Sequence, residues 1–247
     1  MNWRIHEKDV SVSTNLDARD GVAGDVFTAV SQTGGRGRLD HRWLSPPGAN
    51  LTMSAVLSVD GIPADRAATL PLVAGLAVVE GLGDMVGPGR PEGLSLKWPN
   101  DVLLDGKKLA GILCERLGDN VIVGIGVNVN QRKFPKELEN RAVSLCLSGS
   151  VPGKAGGTVP VERVRDAVLG ALGRLYGEWV DGGLSPFVDR ISEIDFLKGR
   201  VVSVVQTDED DVPVTGVCDG IAEDGTLVVG GRHIWAGEAH VASVDNM

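Results

Sequence analysis

Four strand-length apolar runs follow one another in the middle of the chain, and this region constrains the fold more than any other. The runs occupy positions 94–97, 102–104, 108–116 and 121–129. Asp105-Gly106 separates the second run from the third, and this dipeptide is typical of the tight turn that joins two antiparallel strands. The segment therefore predicts a mostly antiparallel sheet.

Two longer stretches have helical periodicity instead. After Pro63, apolar residues recur at intervals of three and four, and Gly83 and Gly87 mark the expected end of the helix. The same spacing predicts a second amphipathic helix from 161 to about 180, packed on the sheet. A short helix is expected over residues 13–20, which begin with the favoured N-cap types Ser, Thr and Asn.

Two further strands are predicted before the first long helix. Residues 26–30 are β-branched and aromatic, so they predict a strand that runs into the glycine-rich loop 33–38. Residues 51–58 alternate apolar with polar types, which predicts a half-buried strand. By contrast, residues 146–160 are rich in Gly and Pro, so we expect a surface connection with little chemistry.

The last 50 residues change to short β-rich runs separated by Asp, Gly and Pro. These runs occupy positions 201–206, 212–221, 227–229 and 233–235 and predict a small SH3-like β-barrel. We therefore place a domain boundary near Leu197, with a larger domain at 1–197 and the barrel at 198–247. The predicted fold class is α+β, a mixed and mostly antiparallel sheet with helices packed on it, plus the barrel.

Composition excludes several classes of protein. With 33 acidic against 24 basic residues the net charge is −9, which opposes binding to a polyphosphate backbone, so no nucleic-acid partner is expected. No run approaches the roughly 18 apolar residues of a membrane span, and the charged N-terminus is no secretory signal. We therefore expect a cytoplasmic protein without a membrane partner. Three scattered cysteines and four histidines show no disulfide or metal-ligand pattern.

Positive charge is concentrated locally, in the glycine-rich loop. Gly34, Gly35 and Gly37 let backbone amides approach a ligand, while Arg36 and Arg38 supply planar donors that match carboxylate or phosphate oxygens. The alternative is a solvated, flexible turn. Further polar blocks downstream favour the anion-binding interpretation.

Lys97 ends an apolar strand and is followed by Pro99, which cannot continue a central sheet ladder. An ammonium group there can stabilise negative charge that develops as a carboxylate and a phosphate combine. The alternative is a lysine that blunts an exposed sheet edge. Asn100 and Asp101 follow directly, and Asp101 is either a magnesium ligand or half of a turn-forming pair.

Gly124 and Gly126 lie two positions apart in a predicted strand, where missing side chains leave room for a ligand or another backbone. The pattern lacks the third glycine and the acidic residue of a dinucleotide fold, and no Walker loop occurs in the sequence. Trp235, near the end of the predicted barrel, is either core filler or a side chain that closes a pocket.

Together these blocks resemble the biotin protein ligase family, in order and approximate spacing, over nearly the whole chain. The matching blocks are Ser13-Thr14-Asn15, Gln32 with Gly35-Arg36-Gly37-Arg38, Lys97-Trp98-Pro99-Asn100-Asp101, Lys108-Leu109-Ala110-Gly111-Ile112 and Gly124-x-Gly126-x-Asn128. The C-terminal barrel is similar to the small module of these ligases.

The resemblance implies a two-step reaction on residues 1–197. Biotin and MgATP give biotinyl-5′-AMP and pyrophosphate, and a lysine of a biotin carboxyl carrier domain then attacks the mixed anhydride; no tightly bound organic cofactor is implied. Catalytic roles fall on Lys97, Arg36 and Arg38, the last two in a loop that folds over the adenylate. Biotin contacts fall on these three and on Ser13, Thr14, Asn15, Gln32, Gly37, Gly124 and Gly126. Adenylate contacts fall on Arg38, Lys97, Asn100, Asn128 and Trp235.

The resemblance also leaves alternatives open. Some relatives stack an aromatic side chain on adenine, and the stretch 131–143 offers only Phe134. The rival functions are a lipoate ligase or octanoyl transferase, and a module that binds biotin without transferring it. Only twelve residues precede Ser13, so the resemblance implies a form without the winged-helix domain that represses transcription.

Overall fold

Seven strands form the main sheet of the computed structural model, which describes residues 1–39, 41–86, 93–149, 157–206 and 212–242. The strands are β1 (Arg4–Ser11), β2 (Asp25–Gln32), β3 (Leu51–Ser58), β4 (Leu94–Lys97), β5 (Asp101–Leu104), β6 (Lys107–Leu117) and β7 (Asn120–Val127). Their order across the sheet is β1-β2-β3-β7-β6-β5-β4. β1 pairs parallel with β2 and the other neighbouring pairs are antiparallel, as predicted.

The helices are α1 (Thr14–Asp17), α2 (Ala64–Ala67), α3 (Leu70–Val86), α4 (Leu145–Ser148), α5 (Val161–Gly182) and α6 (Val188–Ser192), with 3₁₀ turns at Ala18–Asp20 and Ser185–Phe187. The single helix predicted after Pro63 is wrong, because the structure has two. Pro71 has no N–H to continue the helical ladder, and the Thr69 hydroxyl donates to the Arg66 carbonyl at 2.8 Å. Gly87, the expected helix end, lies outside the described residues.

α3 is the central helix of the core. Its Val73, Ala74 and Leu82 have no exposed surface. The stretch Ala64–Met85 is apolar and long enough to cross a membrane by composition alone, but 72% of its most apolar window is buried, as expected for the core helix of a folded domain. α5 packs against α3 and also reaches the sheet, where the Tyr176 hydroxyl donates to the Ser58 carbonyl at 2.6 Å.

β3 is buried on both faces, so the prediction of a half-buried strand was wrong. Thr52 and Ser54 are 3% and 0% exposed. The Thr52 hydroxyl donates to the Ala29 carbonyl at 2.8 Å, and the Ser54 hydroxyl lies 2.7 Å from Thr14 Oγ1 and 2.6 Å from Asn15 Oδ1. Ser54 therefore pairs with polar groups of α1, while Thr52 pairs with the neighbouring strand β2.

β1 was not predicted, because its polar and apolar residues do not alternate. Every residue except Ser11 is exposed. The strand is held to β2 by Asp25, whose carboxylate accepts hydrogen bonds from the Val22 N–H at 2.9 Å and from Arg4 Nε at 2.8 Å. His6 Nε2 also lies 3.0 Å from this carboxylate.

These contacts lower the pKa of Asp25 from 3.8 to about 2, chiefly through the Val22 N–H and His6. A depressed carboxyl pKa adds stability above the unfolded-state value, and this stability is lost as pH falls toward the folded-state value. In Asp25→Asn, the loss of unfolding free energy between about pH 4 and about pH 2 should be smaller than in wild type. Urea unfolding across that range measures it. Asp9→Asn, an exposed change on β1, should leave the wild-type slope intact; an equal flattening there would refute the assignment to Asp25.

The C-terminal β-module is a second sheet. Its strands are β8 (Val201–Val205), β9 (Val214–Ile221), β10 (Leu227–Val229), β11 (Arg232–Ile234) and β12 (Glu238–Val241), in the order β11-β10-β9-β8-β12. β12 was not predicted. Within residues 201–206 and 212–242, β11 and β12 do not pair, so the module is an open antiparallel sheet there rather than a closed barrel.

Candidate functional site

A cavity of about 880 Å³ opens where the glycine-rich loop, the main sheet and the C-terminal sheet meet. The floor is made by β6 and β7, and β12 with Phe196 contributes one wall. Segment 134–142 contributes another. A volume of this size suits a ligand considerably larger than an amino acid.

Thirteen of the fourteen site residues predicted from the sequence line this cavity. They are Ser13, Thr14, Asn15, Gln32, Arg36, Gly37, Arg38, Lys97, Asn100, Asp101, Gly124, Gly126 and Asn128. The two cationic segments, which are about 60 residues apart in the chain, therefore share one space. Trp235 is not among the lining residues and is 63% exposed. It directly follows β11, which ends at the buried Ile234, and its side chain lies at the surface.

One end of the cavity carries a small set of oriented amides. Gln32 Oε1 accepts from the Thr14 backbone N–H at 2.8 Å, which leaves its amide nitrogen as a donor. Asn15 Nδ2 donates to Glu115 Oε2 at 2.6 Å and to the Leu113 carbonyl at 3.3 Å. Both Asn15 donors are thus used, so its Oδ1 is the atom that can accept a further hydrogen bond. This end therefore presents a donor and an acceptor side by side.

The glycines of β7 are required by close contacts. A Cβ on Gly124 would lie 2.2 Å from Asn15 Oδ1, and a Cβ on Gly126 would lie 2.4 Å from Cε2 of Trp43. Any side chain at these positions would displace Asn15 or the indole ring. The glycines let polar and aromatic groups lie directly on the sheet.

Gly124→Ala should therefore destabilise the protein by about 1–3 kcal/mol, the usual cost of overpacking a tight site. Gly170 is the matched control, because it lies on the exposed face of α5 and an added Cβ meets nothing within 4 Å. Gly170→Ala should raise stability by about 0.4–1 kcal/mol. Denaturant unfolding of both variants measures the difference, and equal behaviour of the two would contradict the packing described for Asn15.

Lys97 lies at the end of β4, the edge strand of the sheet. The edge is covered: Leu96 N–H donates to the Ile194 carbonyl at 2.8 Å, and Phe196 N–H donates to the Leu96 carbonyl at 2.9 Å. Burial lowers the pKa of Lys97, an effect that Asp101 opposes and Lys108 reinforces. The lysine lines the cavity and is partly buried, so it is not a fully solvated lysine at an open sheet edge.

Asp101 was predicted to be either a magnesium ligand or half of a turn-forming pair. Its Oδ1 lies 2.7 Å from Lys108 Nζ, so the carboxylate already has a cationic partner. The described parts of the chain contain no group of three or more His, Cys, Asp or Glu side chains that could hold a metal. The residues therefore do not fit a metal centre built by the protein, and suit at most an ion that brings most of its own ligands.

The glycine-rich loop is attached to the cavity at two points. Arg38 Nη1 donates to Asn100 Oδ1 at 3.4 Å, and Asn100 in turn donates from Nδ2 to the Ile112 carbonyl at 2.7 Å. Arg36 Nη1 donates to Glu115 Oε1 at 3.3 Å. The loop thus bridges from β6 to the segment that follows Lys97.

Sequence reasoning missed Trp43, Glu115 and Gln131. Trp43 and Gln131 line the cavity, and Gln131 accepts from Asn50 Nδ2 at 2.7 Å in a buried amide pair. No local pattern marks Trp43, because its position depends on how the loop folds back. Glu115 had a usable signal in the sequence: it lies four residues after Gly111 of the block 108–112, and strand alternation puts both on one face.

Comparison with known proteins agrees with this architecture. Residues 11–131 match the model of the Biotin/lipoate A/B protein ligase family. The chain is 34% identical to the biotin--[acetyl-CoA-carboxylase] ligase of Paracoccus denitrificans, over 89% of this chain and 91% of that protein. It is 37% identical to the bifunctional ligase/repressor BirA of Bacillus spizizenii, over 75% of this chain but only 58% of the relative.

A solved structure is similar over almost the full chain. The biotin protein ligase from Aquifex aeolicus in complex with biotin and ATP superposes with a TM-score of 0.81 at 29% identity. The match covers 96% of this chain and 98% of that one.

Proposed function

We propose that this chain, which belongs to the biotin/lipoate A/B protein ligase family and within it to the biotin protein ligases, is an ATP-dependent ligase. It activates biotin as biotinyl-5′-AMP and transfers the biotin to a lysine of a biotin carboxyl carrier domain. One observation carries the proposal. Lys97 and the arginines of the glycine-rich loop line the same cavity as an amide-rich end suited to a neutral polar ring.

The amide-rich end matches the ureido group of biotin. That group has two N–H donors and one carbonyl acceptor. Asn15 Oδ1 can accept from the ring, and the Gln32 amide nitrogen can donate to the ureido carbonyl. Gly124 and Gly126 let Asn15 and the Trp43 indole lie directly against the sheet, where the amide and the indole ring can border the bicyclic ring.

In the first step, the biotin carboxylate attacks the α-phosphorus of ATP. An oxygen–phosphorus bond forms between the carboxylate and the α-phosphate, the bond from the α-phosphorus to the oxygen of the β-phosphate breaks, and pyrophosphate leaves with the bonding electron pair. The Lys97 ammonium and the Arg36 and Arg38 guanidinium groups offset the negative charge that accumulates on the α-phosphate. Partial burial of Lys97 strengthens this effect, because charge–charge interactions increase when water is excluded.

In the second step, the neutral amine of the carrier lysine attacks the carbonyl carbon of the anhydride. The amide forms, AMP leaves with the bonding electron pair, and the amine loses a proton. The anhydride hydrolyses in water, so a loop that covers it between the steps protects the product. Arg38, whose described side-chain contact is a long bond to Asn100, can release without unfolding the sheet.

The adenine end is proposed around Asn128 and Phe134, both of which line the cavity. Asn128 is 4% exposed and is held by the Lys108 carbonyl at 3.4 Å and by Asn50. Phe134 supplies the aromatic face on which a purine can stack. The exposed position of Trp235 lends no support to its predicted contact with the nucleotide.

We also propose a domain organisation and a cellular location for the protein. Residues 1–197 would form the catalytic domain and 198–247 a small module that completes one cavity wall through β12. The protein would act in the cytoplasm, where ATP and carrier domains occur, with magnesium arriving as MgATP rather than as a resident metal.

The test is pyrophosphate release from MgATP with biotin, lipoate or octanoate, with and without a biotin carboxyl carrier domain. Release with biotin alone, followed by biotin on the carrier lysine, is the expected result. Release with lipoate or octanoate but not biotin would establish the rival ligase. Biotin binding with no pyrophosphate would establish a binding module.

A further inference from the structure

Glu115 joins two parts of the site that are otherwise separate. It lies on β6, and its side chain is 26% exposed. Oε2 accepts from Asn15 Nδ2 at 2.6 Å, while Oε1 accepts from Arg36 Nη1 at 3.3 Å. Arg19 approaches Oε1 at 3.8 Å from the exposed side. One carboxylate therefore touches both an amide of the cavity floor and an arginine of the covering loop.

The contact with Asn15 sets which of its amide atoms faces a ligand. A carboxylate accepts hydrogen bonds and donates none, so it selects the Nδ2 end of the amide. The Leu113 carbonyl selects the same end, and Ser54 lies at the other, 2.6 Å from Oδ1. Asn15 is 4% exposed, so a flipped amide would leave buried donors and acceptors unpaired.

The contact with Arg36 restrains the loop. The Arg36 side chain is 47% exposed, and Glu115 is its only described ion-pair partner among residues 1–39, 41–86, 93–149, 157–206 and 212–242. Without this carboxylate, a solvent-exposed guanidinium on a glycine-rich segment would sample many positions. An ordered Arg36 loses less freedom when an anion binds.

We propose that Glu115 is a positioning residue for biotin, which holds Asn15 as a hydrogen-bond acceptor and Arg36 near the carboxylate end of the same ligand. The inference rests on the proposed function and deepens it. Glu115 acts through these two side chains rather than by touching biotin.

The test compares Glu115→Gln with wild type in biotin-dependent pyrophosphate release. Glutamine has nearly the same shape, but its amide can donate to a flipped Asn15 and it carries no charge for Arg36. KM for biotin should rise roughly 10- to 100-fold, the effect of a lost hydrogen bond to a charged group. Meanwhile KM for ATP should be unchanged and kcat should fall by less than KM for biotin rises, because Asn15 acts in biotin binding while Arg36 also offsets charge in the chemical step.

Two further variants complete the design. Glu193→Gln, an exposed change at the residue that follows α6, is the matched control and should behave as wild type. In a double-mutant cycle, the effects of Glu115→Gln and Arg36→Ala on KM for biotin should be less than additive, because both remove the same contact. Thermal melting and direct calorimetric titration with biotin accompany each variant.

The outcomes separate this inference from the proposed function. If wild type releases no pyrophosphate with biotin, the proposed function fails. If wild type is active and Glu115→Gln matches Glu193→Gln in KM for biotin, the positioning role is overturned. A lower melting temperature together with a lower kcat and higher KM values for both substrates would also overturn it, in favour of a purely structural role. If Glu115→Gln does not fold, Glu115→Asp is tested in its place with the same criteria.

Discussion

Replacing Lys97 by methionine should slow the formation of biotinyl-5′-AMP by roughly 10²- to 10³-fold, the usual cost of removing one preorganised charge from a transition state. Methionine keeps the length and volume of the side chain, so packing at the end of β4 is preserved. Burial already disfavours the lysine charge. The variant should therefore melt at the same temperature as wild type or higher.

The pH dependence of stability gives a second readout for the same variant. A folded-state lysine pKa below 10.5 means that the unfolded chain binds its proton more tightly. The cost of the buried charge is present below the folded-state pKa, and wild-type stability rises as pH increases from that value toward 10.5. Lys97→Met should lack this rise.

Lys107→Met is the matched control, since Lys107 neighbours Lys108 on β6 but does not line the cavity. Single-turnover formation of the adenylate, measured with radiolabelled ATP, provides the rate. A Lys97→Met enzyme that forms adenylate at the wild-type rate, or a Lys107→Met enzyme that is equally slow, would remove Lys97 from the chemistry.

Replacing Arg38 by glycine should accelerate the escape of free biotinyl-5′-AMP into solution roughly tenfold or more, as expected from losing a charge-assisted hydrogen bond. Arg38 holds the glycine-rich loop to Asn100 and supplies charge opposite the adenylate phosphate. Loss of the Arg38 side chain therefore frees the glycine-rich loop and also removes a contact with the adenylate phosphate. The measurement is the fraction of adenylate recovered in the filtrate after rapid ultrafiltration without a carrier domain.

Arg38→Lys separates charge from geometry. Lysine keeps the positive charge but lacks the planar fork that can contact Asn100 and a phosphate at once, so escape should be intermediate. Arg232→Ala, an exposed change on β11, should leave escape unchanged. If Arg38→Gly retained the adenylate as well as wild type, the loop would not act as a cover.

The antiparallel sheet was predictable because its strands between 94 and 129 have clear apolar runs and the Asp105-Gly106 turn. β1 was not, since an edge strand with exposed faces needs no alternation. The break between α2 and α3 was not predicted, because the apolar periodicity continues past Pro71 and gives no sign of it. β3 shows the opposite failure: Thr52 and Ser54 appeared solvent-facing, yet both are buried, Thr52 against β2 and Ser54 against α1.

The site residues also divide into those that the sequence could predict and those that it could not. Residues in compact motifs, such as Lys97 and the loop arginines, were predicted and lie together in the cavity. Trp43 depends on how a glycine-rich segment folds over the sheet, which no short-range pattern encodes. Trp235 was assigned to the site from the motif alone, but it lies just after β11 and its side chain is exposed. Short sequence motifs thus identify the charged residues of the site, while the tertiary fold decides which side chains lie next to them.

The most direct test of the whole account is a crystal structure of the protein with a non-hydrolysable analogue of biotinyl-5′-AMP. Lys97 Nζ and the Arg38 guanidinium should both lie within hydrogen-bonding distance of the group that links biotin to the phosphate, with the ureido ring against Asn15 and Gln32. An analogue bound outside this cavity, or one whose linking group contacts neither cation, would contradict the account.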